Sequence, residues 1–212
     1  MIKLFTALAL SLALFTACGS DTKGKSSPVA KVTARQKSPL EQRRKIESIR
    51  LEKDHTFQQD PNSPIPKDER NNFKNLSYFP VDVGYQYECE LKLYEEPEKV
   101  TIGTNRGDLR EYIRYGYFEF TVAGKECKLD VFKMPGTTHL FVPFRDATSG
   151  KETYGAGRYI ELEQNRTGIY TLDFNLAFNP YCAYNESYSC PLPPEQNTLK
   201  VEIRAGEKNY HN

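Results

Sequence analysis

The chain has 212 residues, with 29 basic against 28 acidic side chains for a formal net charge of +1, and it holds 14 tyrosines and 12 phenylalanines but no tryptophan. So even a balance gives no electrostatic basis for nucleic-acid binding, which draws on a basic face or stripe. Past the N-terminal apolar stretch, no apolar run is long enough to cross a bilayer as a helix, and the ring-rich composition suits strands.

The chain opens MIKLFTALALSLALFTACGS. Lys3 gives a positive start, and Leu4 to Ala17 form an apolar segment of signal-peptide length, short for a membrane span. The segment ends in FTAC, which is similar to a bacterial lipobox, with Ala17 before Cys18 and Phe15 where leucine is usual. Residues 1–17 are therefore read as a lipoprotein signal peptide and Cys18 as the lipidated N-terminus of the mature chain. The alternative is an ordinary cleaved signal. Two acyl chains of the palmitate kind hold a protein firmly on a membrane surface, whereas one binds marginally. Gly19, in place of an aspartate, favours the outer over the inner membrane of the cell envelope.

Residues 18–37 are small, polar and basic, and are expected to be a disordered tether between the lipid and the domain. A single β-rich domain is expected over 38–212. It starts with a helix from Pro39 to about Asp54: Ser38 is a good N-cap, Pro39 suits the first helical position and Glu41 closes a capping box. Its apolar positions are sparse (Leu40, Ile46, Ile49, Phe57), so most of it is expected to be solvated. A second short helix is expected from Lys67 to Leu76.

From Tyr85 the pattern changes to a period of two. YQYECELKL places Tyr85, Tyr87, Cys89, Leu91 and Leu93 on one face. YFEFTVAGKECKLDVF reads as a hairpin, with Phe118, Phe120 and Val122 before a turn at Gly124 and Cys127, Leu129 and Val131 after it. HLFVPF, RYIELE, IYTLDFNLAF and LKVEIRA supply further short strands. Strands without interleaved helices predict an all-β fold, an antiparallel sandwich or partly closed barrel with an N-terminal helix.

Besides Cys18 there are four cysteines: Cys89, Cys127, Cys182 and Cys190. Beyond the inner membrane disulfides persist, and four cysteines allow three pairings. Locality favours Cys182 with Cys190, leaving Cys89 with Cys127, although the latter two also suit plain buried thiols. Structural zinc pairs sit about two to four residues apart, closer than Cys182 and Cys190. A disulfide, packed thiols and a metal or redox role remain open for that pair.

Two polar stretches are candidates for a site. FRDATSGKETYGAGRYIELE gathers Arg145, Asp146, Glu152, Tyr154 and Arg158 in a glycine-rich turn. It is either a solvated loop with weak surface pairs or a cleft for an anionic or sugar-like ligand, since arginine suits bidentate carboxylate or phosphate recognition. LDFNLAFNPYCAYN adds Asp173 and Asn175. Asp173 and Glu152 are a candidate carboxylate pair for a hydrolase. His139 opens a strand, and the chain has neither a GxSxG elbow nor an HExxH helix motif. None of these motifs names a cofactor.

LFVPFRDATSGKETYGAGRYIELE and LDFNLAFNPYCAYNESYSCPLPPEQNTLKVEIRAGEK, with FKNLSYFPVDVGYQYECELKL upstream, resemble the bacterial and archaeal domain-of-unknown-function family 1684. The likeness spans roughly residues 40 to 210. It implies one motif running from Arg145 to Arg158 and a second holding Asp173, Asn175, Asn179, Pro180, Cys182, Cys190, Pro191, Pro193 and Pro194. Family members that look cytosolic carry the same two-cysteine loop, which counts against a purely disulfide role for Cys182 and Cys190 and adds weight to a thiol or metal role. The family has no established activity, so the resemblance adds no chemistry. The expectation is a lipid-anchored envelope protein that presents a polar loop cleft to a small polar or anionic ligand. Arg145 and Arg158 would supply positive charge there, and Asp146, Glu152 and Tyr154 would orient the ligand. The alternatives are a hydrolase or thiol- or metal-dependent enzyme using the same motifs, and a structural envelope module.

Overall fold

A computed structural model of the chain describes residues 38–211; the expected signal segment, Cys18 and the expected tether lie outside them. Helix α1 is Pro39–Gln59, and its capping box forms as the sequence predicts: the Glu41 N–H donates to Ser38 Oγ at 3.2 Å and the Ser38 N–H to Glu41 Oε2 at 2.7 Å. It runs on to Gln59 rather than ending near Asp54 because its last turns are docked. Arg50 donates to the carbonyls of Phe79 and Asn175, Asp54 accepts from the Leu76 N–H, and buried Phe57 meets the Tyr184 ring edge-on at 5.2 Å. The second helix, α2, covers only Lys67–Arg70 and does not reach Leu76. Arg70 turns back to donate to the carbonyls of Asp60, Ser63 and Ile65, and Phe73 and Leu76 leave the helical path to join Phe57, Ile65 and Tyr184 in a small core.

The strands form two antiparallel sheets that are not closed into a barrel, a sandwich with the helix at its N-terminal end. The small sheet pairs β1 (Gln86–Glu90) with β7 (Ile169–Asp173). The large sheet has the order β2 (Lys92–Gly103), β3 (Leu109–Val122), β4 (Lys125–Lys133), β5 (His139–Phe144) and β6 (Arg158–Glu163). The main core gathers inward-facing Phe118, Leu129, Leu140, Phe144, Leu172 and Phe174, all fully buried. Each such side chain contributes roughly 1.5–3 kcal/mol relative to exposure. The β3–β4 hairpin turns through Ala123 and Gly124, both at positive φ (48° and 77°), as a two-residue connection between right-twisted strands requires.

Two expected strands come out differently. YQYECELKL is not one strand: Leu91 separates β1 from β2, which belong to different sheets. Leu93 is consequently exposed, opposite Gly116 beside a register break. LKVEIRA keeps its alternation, with Leu199, Val201, Ile203 and Ala205 buried and Lys200, Glu202 and Arg204 exposed. Yet it joins no ladder. Its backbone bonds instead to Arg145 and Ala147 and then to side chains from the turn before β6.

The large sheet is covered on both faces. Leu140, Val142 and Phe144 of β5 point into the main core, while Phe141 faces outward with Tyr112, Phe132, Tyr159 and Ile102 as a second apolar layer. The chain after β7 crosses this outer face. Phe178 exchanges backbone hydrogen bonds with Tyr159 at the β6 edge (2.8 and 3.0 Å), and further on the N–H of Leu192 donates to Gly103 of β2 at 2.8 Å. The proline-fenced stretch with Cys182 and Cys190 therefore arches from the β6 edge to the end of β2.

Candidate functional site

The turn that reads as a ligand cleft is scaffold at its centre. The Arg158 side chain has no exposure; it donates to the carbonyls of Ala205 (2.5 Å), Ile203 (2.9 Å) and Glu207 (3.2 Å), and to Asp146 Oδ1 at 3.2 Å. Asp146 accepts from the N–H of Ile203 at 2.8 Å and from the hydroxyl of Thr148 at 2.8 Å. Two opposite charges thus neutralise one another indoors and take over the backbone of the last extended segment. Burial pulls the Arg158 pKa down and Asp146 opposes that shift. Gly157 has φ +104°, and a Cβ there would lie 2.6 Å from the Phe144 carbonyl oxygen, so the turn is packed against β5.

The other predicted residues are also placed. Half-buried Arg145 donates to the Pro193 carbonyl at 3.1 Å, Glu152 pairs with Arg204 at 3.0 Å, and the Tyr154 hydroxyl reaches Cys182 Sγ at 3.7 Å. Asp173 accepts from Gln86 Nε2 at 2.7 Å and from the Asn175 N–H at 2.9 Å. Asn175 clasps Asp82, donating to its carbonyl and accepting from its N–H. Asp173 and Glu152 therefore serve separate networks rather than one carboxylate pair. Tyr154 meets Cys182 and Arg145 meets the Pro193 carbonyl, both in the second motif, while Arg158 pairs with Asp146 and Asp173 with Gln86 and Asn175.

A concave site lies under the arch. A cavity of about 550 Å³ is lined by Arg110 and Tyr112 of β3, His139 and Phe141 of β5, Tyr159 and Glu161 of β6, and Phe178, Tyr181, Tyr188 and Cys190 of the crossing segment. That volume suits a small organic ligand. The β5–β6 register explains part of the set: Phe141 faces Glu161, with His139 and Tyr159 two residues along on the same face, and all four reach the pocket. Tyr112 stacks on Phe141 (5.5 Å, 19°), Phe141 meets Tyr159 edge-on (4.7 Å, 73°), and Tyr159 meets Phe178 edge-on (5.8 Å, 88°). The Tyr159 hydroxyl donates to the Pro191 carbonyl at 2.5 Å and ties the arch to the sheet. Desolvation in the pocket pushes the Glu161 carboxyl pKa up.

All four described cysteines are free thiols, so the pairings that locality favours are not the form seen. Cys182 and Cys190 interact through hydrogen bonds: the Cys182 N–H donates to Cys190 Sγ at 3.3 Å, and the Cys182 thiol donates to it as well. The bond from the Cys182 thiol, then that from its N–H and the nearby Arg110 charge, bring the Cys190 pKa down to about 7, while the Cys182 thiol is pushed up. Cys89 and Cys127 sit in the main core, where burial raises Cys89 to about 11. Among the described residues no three His, Cys, Asp or Glu side chains gather as a metal site.

Sequence reasoning missed Tyr112, Phe141, Tyr159, Glu161 and Arg110. The available signal was HLFVPF, a strand apolar on both faces, which announces a sheet covered on both sides.

A family model described as "Protein of unknown function (DUF1684)" matches residues 71–208, a stretch that includes every residue lining the pocket. An uncharacterized protein of Haloarcula marismortui, whose solution structure was determined by NMR, is 38% identical to this chain with a TM-score of 0.63, over 80% of this chain and 95% of that one. No curated protein matches. The family match spans well over half of the sequence, and the chain belongs to the DUF1684 family.

Proposed function

We propose that this is a lipid-anchored cell-envelope protein that binds a small molecule in the aromatic pocket beneath its cysteine loop. The observation that carries the binding reading is the pocket itself: about 550 Å³ and walled by rings, with exposed Glu161 and Arg110 in its lining. A concavity of that size with mostly apolar walls and a few polar groups is the pattern of a ligand site. The anchor rests on the FTAC sequence that ends the apolar segment at Cys18. Native mass spectrometry of the protein purified from the cells that make it tests the binding: a retained small molecule is expected, displaced when Tyr181, 44% exposed at the pocket, is replaced by Arg. A protein of bare mass throughout removes the reading. Labelling with radioactive palmitate tests the anchor, with label lost in Cys18→Ala; equal label, or none in either, contradicts it.

A second reading has one specific support. Cys190 lines the pocket with its pKa lowered to about 7, so a bound electrophile would meet a thiolate at neutral pH. A covalent adduct on Cys190, rather than a molecule released on denaturation, would put thiol chemistry ahead of simple binding.

A further inference from the structure

Cys182 and Cys190 differ from the other two described thiols in what they meet. Cys89 and Cys127 belong to the main core and line no part of the cavity. Cys182 and Cys190 meet each other. The Cys182 N–H reaches Cys190 Sγ at 3.3 Å, and the Cys182 thiol donates to the same sulfur. A hydrogen bond thus already spans the gap that a disulfide would close. Behind it, the Tyr154 hydroxyl donates to Cys182 Sγ at 3.7 Å.

The two sulfurs have unequal access. Cys190 lines the cavity and Cys182 does not. Both residues are recessed, Cys182 being 5% and Cys190 7% exposed. A disulfide on a folded protein cannot reach so deep, whereas a cavity of about 550 Å³ admits a small organic one. The Arg110 charge and the N–H and thiol of Cys182 all present positive ends to Cys190 Sγ, the setting of an attacking thiolate.

The backbone holds Cys190 in place. Its N–H donates to Asn105 Oδ1 at 2.7 Å and its carbonyl accepts from the Asn105 N–H at 3.1 Å. Pro180 and Pro191 fix φ on either side of the loop. Between the cysteines, Glu186 and Ser187 are exposed, so the loop has room to draw the two sulfurs from contact into a bond.

We propose that Cys182 and Cys190 are a reversible dithiol–disulfide centre that exchanges electrons with a small organic disulfide entering the pocket. The Cys190 thiolate attacks one sulfur of that disulfide, forming a mixed disulfide and releasing the other half as a thiolate. Cys182 then attacks Cys190 Sγ, and its proton leaves with the second half as a thiol. The two protein sulfurs lose two electrons, and the external disulfide gains them. This goes beyond ligand binding and holds whether or not the pocket retains a molecule.

Two measurements on the full chain in detergent test it. In buffers of varied reduced to oxidised glutathione, acid-quenched and peptide-mapped after alkylation, the Cys182–Cys190 bond is expected to rise and fall with the ratio. A bond that survives the most reducing buffer is a fixed staple, and a bond that forms in none of them leaves two packed thiols; either overturns the proposal. Rapid mixing with 2-hydroxyethyl disulfide gives the order of attack. In Cys182→Ser a mixed disulfide on Cys190 is expected to accumulate, while in the parent it gives way to the internal bond. In Cys190→Ser, adduct formation at Cys182 is expected to slow at least about tenfold relative to Cys190 in the parent. An adduct forming equally fast on Cys182 overturns the assigned roles. The glutathione titration uses no variant, so it decides the centre even where serine disturbs the loop. A protein of bare mass in the retained-molecule measurement removes the binding reading and leaves this one standing.

Discussion

The Arg158 guanidinium lies 3.2 Å from the Asp146 carboxylate with neither side chain exposed, and the two share out the backbone of Ile203, Ala205 and Glu207. Replacing one partner of a buried pair costs about 3–5 kcal/mol, because the other charge is stranded. Arg158→Met is therefore expected to lower the denaturant midpoint by that order. In many proteins, replacing both charges by apolar residues restores stability. Here it cannot, because the pair substitutes for a missing strand ladder. Asp146→Leu with Arg158→Met is expected to stay destabilised by at least about 2 kcal/mol, since the carbonyls of the last segment lose their donors. A double variant as stable as the parent would show that the pair is ornamental.

Glu161, though exposed, gives up part of its hydration to the pocket walls. Its pKa in the folded protein is raised, first by desolvation and then by Glu163, against the opposing pull of His139 and Lys53. Arg110, Cys190 and Tyr181 line the same cavity. A carboxyl whose folded pKa exceeds its unfolded one keeps protons in the native state that the unfolded chain has released, so stability falls as pH rises through that window. Glu161→Gln is thus expected to raise Tm at neutral pH, with the gain vanishing in acid below the ordinary glutamate range. A melting series across pH 4 to 8 checks the sign.

Cys190 is the thiol to watch. With its pKa lowered to about 7, it is expected to react with iodoacetamide ahead of Cys89, raised to about 11, and ahead of Cys182. Arg110→Gln removes the positive charge that helps hold the thiolate, so the midpoint of the rate–pH curve should move up. Peptide mapping after timed alkylation gives the order, and labelling that begins at Cys89 would contradict it.

Ala123 is an easy place to gain stability. It has φ 48°, in the left-handed region, at the first position of a tight hairpin whose second position is Gly124. A left-handed alanine costs roughly 1–2 kcal/mol, and Asn–Gly is the favoured pair for this turn. Ala123→Asn is expected to stabilise by about 1 kcal/mol in chemical denaturation, with no effect on ligand binding.

What could be read from the chain divides along local and non-local lines. The capped helix, the β3–β4 hairpin and the inward sets Phe118, Phe120, Val122 and Cys127, Leu129, Val131 follow from spacing alone, because capping and alternation are local. The extent of α1 did not, since its last turns are held by Leu76, Phe79 and Tyr184 far along the chain. Arg158 and Asp146 look like surface charges in a glycine-rich turn. Nothing nearby reveals that residues 203–207 will supply their partners. The pocket draws on β3, β5, β6 and the arch, so no contiguous motif could contain it. Within the NPYCAYNESYSC stretch, Cys190 and Tyr181 reach the pocket, while Cys182 turns to Tyr154.

The most direct test of the pocket is a crystal structure of the protein purified, without added ligand, from the cells that make it. Density for an organic molecule is expected in the pocket lined by Phe141, Tyr181 and Cys190. A pocket holding only solvent while a molecule sits at the 145–158 turn would contradict it and return the site to the cleft that the sequence suggests.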